Sequence, residues 1–159
     1  MKIIILGAGQ VGASVAEGLV SEENDITVVD YDGQRLAQLQ DRLDLRTVTG
    51  NAATPSVLRN AGAADADMVI AVTQSDHANL VACKLAHSVF NVPTRIARLR
   101  SQDFLDDSNL LSIDNFAVDF ALCPEQVITD YIRNLVEFPE ALQVLSFAHG
   151  RVSLVAVRA

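Results

Sequence analysis

The chain has 159 residues, of which 50% are hydrophobic and 20% charged, with 20 acidic against 12 basic side chains and a net charge of −8. That much apolar mass supports one self-sufficient core, so an intrinsically disordered chain is excluded. The acidic balance argues against nucleic acid and anionic lipid, whose phosphates are held by Lys and Arg, and no apolar run approaches the roughly 20 residues of a membrane-spanning helix.

The predicted elements alternate strand and helix. Ile3-Ile4-Ile5-Leu6 is an unbroken β-rich run, the pattern of a strand buried on both faces. Gln10 to Val20 follows with helical spacing of Val11, Val15 and Leu19. Ile26 to Val29 is the second strand. A helix over 32–43 has Leu36, Leu39 and Leu43 on one face, and Leu45 to Thr49 is the third strand. Thr54 and Pro55 predict the cap and first turn of a short helix. Met68 to Val72, Asp76 to Phe90 and Thr94 to Leu99 continue the rhythm as strand, helix and strand.

Beyond Arg100 the pattern weakens. Asp103, Asp106 and Asp107 suggest a solvated loop or short helix, and Ala117 to Leu122 a sixth strand. Pro124 and Glu125 open a helix that runs to Phe138 and stops before Pro139. Its apolar residues Val127, Ile128, Tyr131, Ile132, Leu135, Val136 and Phe138 form a broad stripe. Such a stripe either caps its own lobe or crosses to a second copy. Gln143 to Phe147 and Val152 to Val157 alternate across Ala148-His149-Gly150-Arg151, which reads as a β-hairpin. The expected fold is therefore α/β, a Rossmann-like, doubly wound, mostly parallel sheet followed by a helix and a hairpin.

Gly7-Ala8-Gly9-Gln10-Val11-Gly12 is a GxGxxG run. Alone it is a weak signal. Here it follows a strand, opens a helix, and is joined by Asp30 at the end of the second strand, about 18 residues after Gly12, close to the spacing of about 20 for a ribose-binding acid. Gly7 permits the tight turn, Gly9 clears space for backbone to touch a pyrophosphate, and Gly12 allows close packing of helix on strand. The helix N-terminus offers unpaired N–H groups to the phosphates. A carboxylate at Asp30 accepts from ribose hydroxyls and repels an extra 2′-phosphate; Tyr31 and Asp32 follow it, with no adjacent Arg. Ligands of such sheets sit at the carboxyl ends of the strands. Gly50-Asn51-Ala52 after the third strand would border an adenine. Thr73 and Gln74 after the fourth face the second half of a dinucleotide, Thr73 being otherwise a helix-capping turn. Arg98 and Arg100 end the fifth strand, and one of them is expected on the ligand side; a surface ion pair is the other reading of Arg98.

Other constellations are weaker. Cys83 and His87 share a helix face but are too few to hold a metal. Cys83 and Cys123 form no CxxC, which fits a reduced, cytoplasmic protein. His77, Asp65 and Asp67 read as solvated groups. No GxSxG, HExxH or GxxxxGK[ST] occurs. Lys2 and the early glycines do not make a secretory leader. A small NAD-dependent oxidoreductase remains an alternative, although it would need a substrate lobe with a proton donor.

The segments MKIIILGAGQVG, ITVVD, ADADMVIAVTQSD, RIARLR, PEQVI and ALQVLSFAHGRVSL, in that order along the chain, closely resemble the RCK (or KTN) family, regulatory domains of bacterial potassium uptake systems. The resemblance implies a non-enzymatic, cytoplasmic, nucleotide-binding module that gates a transporter of TrkH or TrkG type. It would sit peripherally on the inner face of the membrane without inserting, and would assemble with further copies of itself. The implied ligands are NAD or NADH, with ATP and ADP as further candidates. The implied site is Gly7, Ala8, Gly9, Gln10, Val11 and Gly12 with Asp30, Thr73, Gln74 and Arg98, and Asn51 as an addition. Gly50-Asn51-Ala52 stands where many relatives carry an Asp-bearing adenine loop. The resemblance divides the chain into a nucleotide-binding lobe (1–122), a crossover or dimerisation helix (123–139) and the start of a truncated C-terminal lobe (140–159). The chain is accordingly expected to be a fragment of a longer protein with two tandem units.

Overall fold

The structure is a computed structural model that describes residues 1–20, 24–107, 109–137, 141–147 and 152–157. It divides into two compact units, Met1–Leu122 and Cys123–Ala159.

The first unit is built on a six-stranded sheet: β1 (Lys2–Leu6), β2 (Asp25–Asp30), β3 (Arg46–Thr49), β4 (Met68–Ala71), β5 (Thr94–Arg98) and β6 (Phe120–Leu122). Every pairing is parallel and the order is β3-β2-β1-β4-β5-β6. The side-chain period of two explains the unbroken apolar run of β1. Ile3 and Ile5 point into one core with Ile26, Val28 and Ile70, while Ile4 and Leu6 point into the other with Val29, Val69 and Ala71. Helices α1 (Gln10–Val20) and α2 (Gly33–Gln40) supply Ala16, Leu36 and Leu39 to the first core. On the opposite face, α3 (Pro55–Asn60) and α4 (Asp76–Ser88) supply Leu58, Leu80 and Cys83 to the second. The sheet reverses direction of growth between β1 and β4, the switch point at which such folds form a crevice.

Several element ends differ from the sequence pattern. The second helix spans 33–40 rather than 32–43. Asp32 is its cap, its carboxylate accepting from the N–H groups of Gln34 and Arg35. Thr54 occupies the cap position of α3 but makes no side-chain capping bond. The acidic stretch after Arg100 forms the one-turn helix α5 (Asp103–Asp106). The sixth strand is confined to 120–122, because the preceding residues are bent around a buried arginine. Arg95 Nε donates to the Ala117 carbonyl at 2.6 Å, and the Asp119 carboxylate receives both Arg95 N (2.7 Å) and Arg95 Nη2 (2.8 Å). Ala117 takes a positive φ of 55° within this clasp.

The second unit holds α6 (Pro124–Glu137) and an antiparallel pair, β7 (Ala141–Phe147) and β8 (Val152–Val157), with Phe147 opposite Val152. The expected turn at 148–151 and the helix end at Phe138 lie outside the described residues. No helix among the described residues is long and apolar enough to cross a membrane.

Candidate functional site

At the carboxyl ends of β1, β2, β3 and β4 lies a cleft of about 510 Å³, a size suited to a small-molecule ligand. Its floor is the glycine turn. Gly7 has φ +111°, and a Cβ there would lie 3.0 Å from the backbone nitrogen of Thr73. Only glycine combines that conformation with that approach. A Cβ on Gly12 would fall 1.8 Å from the carbonyl oxygen of Gly7, so this glycine lets the helix start fold back on the turn itself. A Cβ on Gly9 would meet nothing within 4 Å. Since Gly9 lines the cleft, the direction its side chain would take is open for a ligand. No acidic side chain occupies the first turn of α1 to compete for its N–H groups.

Asp30 is 6% exposed and lines the same cleft. Its Oδ2 accepts from Ala8 N at 2.6 Å and its Oδ1 from Asp32 N at 2.8 Å. The carboxylate thus braces the glycine turn, a role its spacing alone did not reveal, and each oxygen keeps a lone pair for a further donor.

The cleft brings together Gly7, Gly9, Asp30, Asn51, Thr73 and Gln74 among the expected site residues. Ala8 takes part through its N–H. Gln10, Val11 and Gly12 form the first turn of α1, and the Val11 side chain packs into the core. Arg98 is not among the lining residues. Arg100 does not line the cleft either; its Nη2 donates to the backbone carbonyl of Gln74 at 3.1 Å. The helix-capping role at the β4–α4 turn belongs to Ser75, whose hydroxyl accepts from Ala78 N.

Tyr31 and Arg35 also line the cleft, and the sequence pattern marks neither as a ligand contact. The absence of a basic residue next to Asp30 in sequence does not hold in space. The cap at Asp32 starts α2 so that Arg35, three residues on, faces the cleft, with its Nε 3.2 Å from Asp32 Oδ2. The signal that could have found it is a capping residue followed by a basic side chain at the third helical position.

Of the weaker constellations, Cys83 resolves as packing, while His77, Asp65 and Asp67 are exposed. Cys83 is fully buried, and burial pushes its thiol up to about 12. His77 stacks edge-on against Phe104 with ring centroids 5.5 Å apart. Among the described residues no group of three or more His, Cys, Asp or Glu could hold a metal ion.

A parallel sheet of this strand order, with a glycine turn, an open helix N-terminus and an acid at the end of β2, defines a Rossmann-like domain. The chain belongs to the TrkA-N domain family, whose model matches residues 3–118. It is 56% identical over its whole length to the Trk system potassium uptake protein TrkA of Halomonas elongata. It spans about a third of the length of most such curated relatives (35% of the Halomonas protein). Among solved structures, the TrkA-N domain of the inner membrane protein ybaL from Escherichia coli superposes with TM-score 0.74 at 21% identity, covering 85% of this chain and 96% of that one. The GsuK channel bound to NAD superposes with TM-score 0.70 at 18% identity, covering 82% of this chain and 23% of that one. These likenesses show the fold.

Proposed function

We propose that the cleft binds an adenine dinucleotide of the NAD type, with ATP and ADP competing for its adenosine half, and that the chain is the sensing part of a regulatory potassium uptake subunit. The observation that carries the reading is the open direction at Gly9 beside a buried carboxylate that is itself tied to the glycine turn. A Cβ would fill the space a pyrophosphate needs, and the residues present fit such a ligand. The turn 7–12 and the N–H groups of α1 would take the pyrophosphate, Asp30 the ribose hydroxyls, and Asn51 the border of the adenine. Thr73 and Gln74 would meet the second half.

A regulatory rather than enzymatic role is supported by the chemistry of that second half. Its polar lining, Thr73, Gln74 and Ser75, holds no acid or base that titrates near neutral pH. The likeness to the Trk system protein supports a partner of the TrkH or TrkG potassium transporter type, reached from the cytoplasmic side without insertion. The exposed apolar face of α6 supports assembly with further copies of the chain. Gating then requires that the nucleotide bind one arrangement of the assembled lobes better than another.

Calorimetric titration with NADH, NADPH, ATP and ADP tests the reading. NADH is expected to bind more tightly than NADPH, because Asp30 faces the ribose and Arg35 is already paired with Asp32. Gly9→Val should fold and bind nothing, and Asp30→Ala should weaken NADH by about 1–3 kcal/mol. An unaltered chain that takes up none of the nucleotides, or that oxidises NADH with simple carbonyls or imines, would overturn it.

A further inference from the structure

The two walls of the cleft are held by different means. The first is braced by Asp30 acting on backbone N–H groups. The second, the turn Thr73-Gln74-Ser75, is braced from within the core by Asn79, which is fully buried on α4. A buried amide is costly unless both its ends are paired, and here both are. Asn79 Oδ1 accepts from Thr73 N at 3.0 Å and from Thr73 Oγ1 at 2.7 Å. Its Nδ2 donates to the Arg98 carbonyl at 2.8 Å and, more weakly, to the Thr73 carbonyl at 3.4 Å. The Thr73 hydroxyl, having given its proton to Asn79, accepts from Ser75 N at 3.2 Å. One side chain therefore fixes the backbone and hydroxyl of Thr73 and ties them to the end of β5. None of these bonds touches Asp30, Gly50, Asn51 or Ala52, which line the other wall.

We propose that Asn79 is a positioning residue for the second half of the cleft, and that it gives the site its preference for a dinucleotide over an adenine mononucleotide. The inference rests on the nucleotide-binding reading above. With Asn79 in place the wall is ordered before the ligand arrives, so the ordering cost is not charged against binding. Without it, Thr73 N–H and the Arg98 carbonyl lose their partner and the turn is free to rearrange. Thr73 packs directly behind Gly7, but a mononucleotide seated against Asp30 and Asn51 takes its polar contacts from the first wall and is expected to feel the change far less.

The test is Asn79→Asp, which keeps the shape but turns an oxygen toward the carbonyls of Arg98 and Thr73. NADH and AMP affinities are measured calorimetrically on the unaltered and altered chains. NADH is expected to weaken by about tenfold or more, while AMP stays within about twofold. Parallel weakening of both ligands, or no change in NADH, overturns the proposal. Should the variant fail to melt cooperatively, hydrogen exchange in the unaltered chain decides. Saturating NADH is expected to slow exchange of the Thr73 amide and AMP to leave it unchanged; equal slowing by both, or by neither, overturns it. An unaltered chain that binds neither NADH nor AMP brings down the nucleotide-binding reading itself. Binding with parallel loss brings down only the role of Asn79.

Discussion

Helices α4 and α6 are nearly the same length, 13 and 14 residues, and both carry an apolar stripe at helical spacing. Their fates are opposite. In α4, Leu80, Ala82, Cys83 and Ala86 are sealed into the core beneath the sheet. In α6, Ile128, Tyr131, Ile132 and Val136 face outward, with Val136 76% exposed. A stripe fixes which face of a helix seeks cover, but the cover itself comes from elements distant in sequence or from another molecule. The first helix finds it in β4 and β5. The second leaves these four side chains exposed.

The sharpest way to break this contrast is to place the same charge on both stripes. Leu80→Asp buries a carboxylate with no partner and is expected to cost about 4 kcal/mol or more, enough to unfold the first unit. Ile132→Asp should change its stability by no more than about 0.5 kcal/mol. Urea titration followed by circular dichroism measures both. Comparable losses at the two positions would mean that the α6 face is covered within the chain.

Assembly gives the next largest effect. The unaltered chain is expected to self-associate at tens of micromolar, roughly the range of a modest interface. The double variant Ile132→Asp, Val136→Asp should sediment as a monomer with an unchanged melting temperature. A monomeric unaltered chain under those conditions removes the dimer reading of this helix.

What the sequence made legible follows the same division between local and distant. The strand at Ile3–Leu6, the glycine turn and Asp30 are readable because each depends on short spacing within one β-α-β unit. The contributions that short spacing does not encode depend on contacts between segments far apart. Asn79 acts by joining the end of β4 to the end of β5, 19 residues away. Arg95 bends the chain before β6 through Asp119, 24 residues away, and so shortens a strand whose composition promised six residues. Arg98 and Arg100 were separable only in part. Strand β5 ends at Arg98. Beyond it the Asp76 carboxylate takes the N–H groups of Arg100 and Ser101 and turns the chain so that Arg100 reaches Gln74.

The two cysteines carry the contrast to its finest scale, since one lies on α4 and the other immediately precedes α6. Cys83 is buried, whereas Cys123 is half-buried. Reaction rates follow the exposed thiolate fraction. Burial pushes the Cys83 thiol from 9.0 up to about 12, so at pH 8 a disulfide reagent should modify Cys123 readily and Cys83 only as fast as the first unit opens. The same shift fixes a pH dependence. Below pH 9 the thiol is neutral in both the folded and unfolded chains, and its burial is without ionic cost. Between pH 9 and about 12 the unfolded chain ionises while the folded chain does not, so stability falls as pH rises, at up to about 1.4 kcal/mol per unit. Lysines and tyrosines titrate over the same window in every version of the chain, so the informative quantity is a difference. Denaturant titrations of the parent and Cys83→Ala at pH 8, 9 and 10 should show the parent losing more stability with each step. Cys123→Ala should follow the parent. Identical slopes for all three chains would place the Cys83 thiol in contact with water.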